Sequence, residues 1–342
     1  MPTIHLITPA LAQANNGNWQ TAYRWTKFLS DRFEVITAKQ WDSGQTAHRS
    51  KDMMIALHAR RSASSIAAFA RTGRSIILVL TGTDLYRDIH SDPEAKRSLE
   101  LADRLVVLHE QGIQDLPAQY RSKTKVIFQS ARLLKASGDA TSQSKKKFFD
   151  LALVGHIRPE KDPMTALRAL QCLRVLPRSG QSKPIRLIHI GSDKDETLGH
   201  SFRQLASALP EVHLKGNLSN ARTRQIIKRC DVLVLPSIME GGANVLIEAI
   251  RSGVPVIASR ISGSIGMLGQ DYLGYFDVGN EIELAKLIVK CRDQPEFLKR
   301  LQVQCEKRSK LFDPAVEKLA VNALVTELIQ SKNLLSSPPA IL

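Results

Sequence analysis

Residues 232–259 read VLVLPSIMEGGANVLIEAIRSGVPVIAS. Val232 to Leu235 is a short apolar run, Gly241-Gly242 a turn, and Val245, Leu246, Ala249 and Ile250 recur at helical spacing. Val254 to Ala258 is apolar again. Strand, glycine turn, helix, strand is the unit from which buried parallel sheets are built. Free N–H groups at a helix start, with glycine beside them, also suit a phosphate. Glu240 and Glu248 flank that start. Carboxylates repel phosphate and accept from hydroxyls, as on a ribose or a sugar. A diphosphate between two polyols describes a nucleotide sugar.

The same alternation runs along the whole chain. Strand candidates in the first half are 3–8, 33–38, 53–57, 76–81, 104–108 and 125–128. In the second half they are 149–154, 185–190, 212–215, 231–235, 254–258 and 272–276. Helical patterns separate them, which predicts doubly wound α/β sheets. The polar run 137–147 breaks the two sets and reads as a linker. The expected organisation is a first Rossmann-like domain at 1–136, the linker at 137–147, a second domain at 148–311, a helix at 312–335 and a tail at 336–342.

With 342 residues and 43% hydrophobic content, two ordinary soluble domains are expected. Apolar runs such as Ile76 to Leu80 are far too short to span a bilayer. No signal peptide is evident, and Cys172, Cys230, Cys291 and Cys305 have no close pairing, which suits a reducing cytoplasm. The net charge of +15 reads either as a bland basic surface or as attraction of anionic substrates or of an acidic membrane face. Nucleic acid is not expected, because no binding motif accompanies the charge.

Loops at carboxyl strand ends carry the chemistry in such folds. After the first strand comes Asn15-Asn16-Gly17-Asn18-Trp19-Gln20, in which Asn18 reads either as a helix N-cap or as a ligand contact. Trp25 shares a helical face with Ala22 and Leu29 and belongs in the core. His58-Ala59-Arg60-Arg61 and Thr81-Gly82-Thr83-Asp84 follow two further strands. In the second half, Gly155-His156-Ile157-Arg158-Pro159-Glu160-Lys161 gathers three basic groups suited to a departing diphosphate. A nicotinamide-type glycine fingerprint, a phosphate loop ending in Gly-Lys-Ser/Thr, a nucleophile elbow and metal-ligand spacing are all missing from the sequence.

Glu240 through Glu248, Gly253-Val254-Pro255-Val256, the Gly155–Lys161 loop and Thr81–Asp84 together resemble the family-4 glycosyltransferases of the GT-B fold. The resemblance implies two Rossmann-like domains facing a cleft, with the helix at 312–335 crossing back to the first. It implies a donor site of Gly17, His156, Arg158, Lys161, Glu240, Gly241, Gly242, Ala243, Asn244 and Glu248. Among these, Lys161, Arg158 and Glu240 would be catalytic. The family usually has arginine where His156 stands, so His156 or Arg158 would take its role. It often has histidine where Thr81 stands.

The Asn15–Ala22, His58–Ser62, Leu80–Ile89 and Gly155–Arg158 segments are similar to one branch, the selenosugar synthases of selenoneine biosynthesis. That similarity implies transfer of a glucose- or N-acetylglucosamine-type hexose from a UDP-sugar to selenophosphate, in the cytoplasm and with no metal or cofactor. It also implies functional links to a selenophosphate-producing enzyme and to a downstream selenoneine-forming enzyme. Acceptor contacts would come from Asn16, Asn18, Gln20, His58, Arg60, Arg61, Thr81, Thr83 and Asp84. An anionic acceptor needs no base to deprotonate a hydroxyl, which makes Thr81 tolerable. Competing readings are transfer to a sugar or lipid hydroxyl, and a non-catalytic nucleotide-sugar binder.

Overall fold

A computed structural model describes residues 2–11, 17–42, 52–134, 146–174 and 182–336, with backbone only from 332. Most of the expected linker, the tail beyond Ser336 and Asn16 lie outside the described residues. The chain forms two units: residues up to Gln129 together with those from Pro314 onward, and Ser130–Asp313.

The first unit holds β1 (Thr3–Ile7), β2 (Glu34–Ala38), β3 (Met53–Leu57), β4 (Ser75–Val79), β5 (Arg104–Val107) and β6 (Thr124–Val126) in the order β2-β1-β3-β4-β5-β6. All pairs are parallel. β1, β3 and β4 are buried along their full length because helices cover both faces. Alternation within a strand divides the core. Met53, Ile55 and Leu57 pack with Trp25, Leu29, Val321, Leu324, Val325 and Leu328. Met54 and Ala56 pack on the other face with Ile66, Phe69 and Leu99.

The second unit holds β7 (Phe149–Val154), β8 (Ile185–Ile190), β9 (Val212–Leu214), β10 (Val232–Leu235), β11 (Val256–Ser259) and β12 (Tyr275–Phe276) in the order β12-β11-β10-β7-β8-β9. This sheet is also parallel throughout. All twelve expected strands form, with ends shifted by a few residues. They were expected as buried runs, but at the sheet edges β2 is largely half-buried and β9 largely open, whereas the edge strand β12 is buried. Two parallel six-stranded sheets flanked by helices make the GT-B fold.

The unit boundaries differ from the expected ones. Ser130–Leu134 belong to the second unit: Arg251 Nε donates to the Ala131 carbonyl at 3.0 Å, and Leu134 N donates to the Arg251 carbonyl at 3.2 Å. The last helix, Pro314–Ser336, begins on a proline and packs into the first unit. Its Val321, Leu324, Val325 and Leu328 form the buried stripe. Glu317, with a fully buried side chain, takes Arg24 Nε at 3.0 Å and Trp25 Nε1 at 2.8 Å. Among the described residues no helix is long and apolar enough to cross a membrane.

Glu317→Ala strands the Trp25 indole N–H and a mostly buried guanidinium, which costs about 2–4 kcal/mol. Trp19, Trp25 and Trp41 all lie in the first unit, so tryptophan emission reports its unfolding. The urea midpoint should fall by roughly 1–2 M, with a smaller loss in Glu317→Gln, whose amide oxygen still accepts from Trp25. An unchanged midpoint in Glu317→Ala would show that this contact does not hold the last helix.

Candidate functional site

In the second sheet β7 lies between β8 and β10, so strand order reverses beside it. Connections leave β7 and β10 toward opposite faces and open a crevice at their carboxyl ends. The loops there are 155–162 and 236–243. The 155–162 loop makes one 3₁₀ turn, Pro159–Lys161, and ends at Asp162 with φ +39°. Thr165 Oγ1 donates to the Asp162 carboxylate at 2.6 Å, and Pro163 starts the next helix.

This geometry brings Lys161 onto Glu240. The Lys161 ammonium donates to Glu240 Oε1, and Ser237 Oγ donates to the same oxygen at 2.6 Å. The side chains are 21% and 9% exposed. Ile238 N also donates to the Glu160 carbonyl at 2.9 Å, so backbone and side chain both tie the loops together. Ser259 at the end of β11 donates to the Ser237 carbonyl. Gly263 lies against the same loop: a Cβ there would sit 1.9 Å from the Glu240 carbonyl oxygen. Lys161 was expected as an exposed cation awaiting phosphate. Instead it is an ion-pair member whose removal leaves a buried carboxylate without its counter-charge.

Glu248, on the helix Asn244–Ile250, is 9% exposed, and its Oε1 accepts from Asn220 Nδ2 at 2.6 Å. Gly241 and Gly242 precede this helix without positive φ, so the turn does not depend on left-handed glycine. Ala243 occupies the cap position and contributes no side-chain bond.

His156 differs from the expectation of three converging cations. Ser192 N and Oγ lie 3.2 and 3.0 Å from its Nδ1. Burial lowers its pKa, and Lys194, Arg158 and Lys161 lower it further. The ring is therefore neutral near pH 7, with Nδ1 accepting and Nε2 carrying the proton. Arg158, Lys161 and Lys194 are the cations around it. Arg158 is half-buried, and its Nε is buried without an acceptor. Beneath the loop, His189 Nε2 lies 3.1 Å from the Gly155 carbonyl, and burial pushes its pKa down to about 4. A Cβ at Gly191 would meet that same carbonyl oxygen at 1.9 Å.

In the first sheet the order reverses between β1 and β3. His58, just past β3, has φ +74°, a conformation costly for any residue with a Cβ. Its Nδ1 accepts from Arg61 N at 3.4 Å, and its Nε2 lies 3.1 Å from Thr83 Oγ1. Burial lowers its pKa. The expectation that Asp84 contacts acceptor fails on burial. Asp84 is 0% exposed. Its Oδ1 accepts from Thr81 N at 2.9 Å and Gly82 N at 2.8 Å, and its Oδ2 accepts from Ala59 N at 3.0 Å. It fastens the β3 and β4 loops together. Arg60 pairs with Asp88 at 3.2 Å, and Arg61 is exposed. The helix after β1 starts at Gly17, so Asn18 and Gln20 lie within its first turn and Asn18 is not its cap. Thr81 is half-buried at the loop's edge.

Sequence reading passed over Ser237, Asn220, Ser192, Lys194, Gly191 and Gly263. Ser237 had a local signal, three residues before Glu240. The others come from separate strand ends, joined to the site only by topology.

Gly263→Ala should push the 236–243 loop away from β11 and separate Glu240 from Lys161. We expect a thermal midpoint lower by several degrees and at least a tenfold loss of whatever activity the site performs; a variant with wild-type melting and activity would remove Gly263 from the site's support. Buried His189 contributes to the response to acid. Its folded-state pKa of about 4, below the unfolded value of about 6.5, gives stability that is full above 6.5 and lost as pH falls toward about 4, by up to roughly 1.4 kcal/mol per pH unit. His189→Gln should flatten the decline in melting temperature between pH 6.5 and 4; a slope as steep as wild type would locate the acid sensitivity elsewhere.

Residues 138–308, half of the chain, match the family model described as Glycosyl transferases group 1. A D-inositol 3-phosphate glycosyltransferase of Corynebacterium kroppenstedtii is 26% identical over 194 residues. That match takes in 50% of this chain and 42% of the relative, so the chain aligns with less than half of the relative's length. Among solved structures, Anabaena HepE in complex with UDP and glucose superposes with a TM-score of 0.73 at 16% identity, over 97% of this chain and all of HepE. Sucrose-phosphate synthase of Thermosynechococcus elongatus gives 0.74 at 15% identity, over 97% of this chain and all of the other.

Proposed function

The chain belongs to the group 1 glycosyl transferases, and from that we propose that it transfers a hexose from a UDP-sugar to selenophosphate. In the reaction the anomeric carbon's bond to the UDP oxygen breaks, a carbon–selenium bond forms, and UDP leaves with the bonding electrons. The observation that carries the donor half is the Lys161–Glu240 pair at the reversal point of the second sheet, with Glu248 on the following helix. Lys161, Arg158 and Lys194 supply positive charge for the diphosphate, and the neutral His156 adds an N–H donor. Glu248 accepts from the ribose, and Glu240 from the hexose. Solved relatives of the same fold include complexes with UDP, and with UDP and glucose.

The acceptor half rests on the resemblance of the 58–62 and 80–89 segments and on their charge. Arg60 and Arg61 leave the end of β3 beside Thr83 and His58. Arginine forms charge-assisted bonds to a compact tetrahedral anion that glutamine copies poorly. A second reading, transfer to a hydroxyl of a phosphorylated polyol, is favoured by the match to an inositol 3-phosphate glycosyltransferase. Both acceptors carry a phosphoryl-type anion; they differ in the atom that attacks.

Mass spectrometry of purified protein incubated with UDP-glucose or UDP-N-acetylglucosamine, with selenophosphate, with inositol phosphate or with neither, separates the readings. A 1-seleno-sugar is expected only when both substrates are present. A product only with inositol phosphate selects the second reading, and release of neither product overturns both. Glu248→Ala should weaken UDP binding by about 2–3 kcal/mol in calorimetry, and unchanged affinity would remove Glu248 from the donor site. Replacing Arg60 and Arg61 with glutamine should raise the KM for selenophosphate about tenfold, ~1.4 kcal/mol, with UDP affinity intact.

A further inference from the structure

Glu240 and Glu248 accept from different donors. Glu240 has an ammonium and a hydroxyl on one oxygen. Glu248 has a carboxamide: Asn220 Nδ2 donates to Oε1 at 2.6 Å across 28 positions of sequence. Asn220 opens the helix Asn220–Arg229, whose Thr223 and Ile227 are buried against the unit. Ser219 caps that helix, its side chain accepting from Arg222 N at 3.4 Å. The cap fixes the helix start, and the start places the Asn220 amide on the carboxylate.

Charged groups around Glu248 come from both packed helices. Arg224, one turn beyond Asn220, acts electrostatically on Glu248, but its guanidinium donates to the Arg132 carbonyl. Arg251, on Glu248's own helix, is committed to the Ala131 carbonyl at 3.0 Å and to Asp313 at 3.0 Å. The Asn220 amide is a neutral donor that orients the carboxylate through Oε1.

We propose that Asn220 is a positioning residue for the hydroxyl-binding carboxylate Glu248, setting the plane in which it meets the donor. The proposal rests on the reading of Glu248 as the ribose contact. It assigns Asn220 a share of ground-state grip common to UDP and UDP-sugar, so its loss raises KM rather than lowering kcat.

The test compares wild type, Asn220→Ala and Asn220→Asp, measuring UDP affinity by calorimetry from pH 5.5 to 8 and melting temperature over the same range. Asn220→Ala should bind UDP about tenfold more weakly at every pH, with kcat within about twofold of wild type. Asn220→Asp sets a second carboxyl at hydrogen-bond distance from Glu248. Both cannot ionise together, so one pKa rises and the pair shares a proton at low pH. A raised folded-state carboxyl pKa destabilises at high pH and relaxes as pH falls. Asn220→Asp should therefore melt lower than Asn220→Ala at pH 8 and recover by pH 5.5, with UDP affinity rising at least tenfold over the same descent. Melting profiles verify folding of each variant, and Asn220→Asp at pH 5.5 serves where Asn220→Ala is unstable. Wild-type UDP affinity in Asn220→Ala, or a pH-independent Asn220→Asp, overturns the inference alone. Wild-type protein that binds no UDP at any pH overturns the donor reading of Glu248 and the inference with it.

Discussion

An ammonium and a carboxylate, both largely withdrawn from water, join two loops where strand order reverses. Lys161 arrives from the end of β7 and Glu240 from the end of β10. Either charge alone at that depth would be costly. Together they set the distance between loops that the backbone bond from Ile238 to Glu160 also sets. Packing follows from this. Gly263 has no side chain because the Glu240 carbonyl occupies the space, and Ser259 reaches back to hold Ser237. Under the proposed function, an incoming phosphate would compete with Glu240 for the Lys161 ammonium, and the carboxylate would then accept from hydroxyls.

The fold was legible because its rules act over short stretches. Apolar runs such as Met53–Leu57 and Leu151–Val154 lie in strands covered on both faces, as buried parallel sheets require. The edge strands show the limit of that rule. Val212–Leu214 reads as an apolar start but lies largely open at the edge of its sheet. The unit boundary was legible only in part. Ser130–Leu134 shows no strand or helix pattern in sequence, yet it is bound into the second unit by Arg251, which lies far along the chain.

Around Glu240 and Glu248, residues with a local signature could be singled out from sequence, and hydrogen-bond partners such as Asn220 could not. Glu240 and Glu248 stand out by their spacing around a glycine turn. Asn220 and Ser192 have no local mark, because each acts across a distance created by strand order. The charge state of His156 was also hidden. Its sequence neighbours suggest a cluster of cations, but burial and three surrounding positive groups keep the ring neutral and make it an N–H donor. Composition counts charge, whereas the fold decides which groups carry it.

Asp84 and Glu240 show how a buried carboxylate is to be judged. Both follow a strand and both sit in a glycine-containing loop, so sequence treats them alike. Asp84 is satisfied by three backbone N–H groups of its own and a neighbouring loop. Such donors cannot leave without unfolding the loop, so the carboxylate is spent on structure. Glu240 is satisfied by the ends of a lysine and a serine side chain. Those donors rotate away at the cost of rotamer changes, and an incoming ligand replaces what they gave. The acid held by mobile donors remains open to chemistry, and the acid held by fixed ones does not. By that criterion Glu240 is the carboxylate on which the proposed function relies for ligand contact. The first unit uses its buried aspartate to shape the loops that carry Arg60, Arg61 and Thr83, and the proposal assigns the anion to those side chains rather than to Asp84.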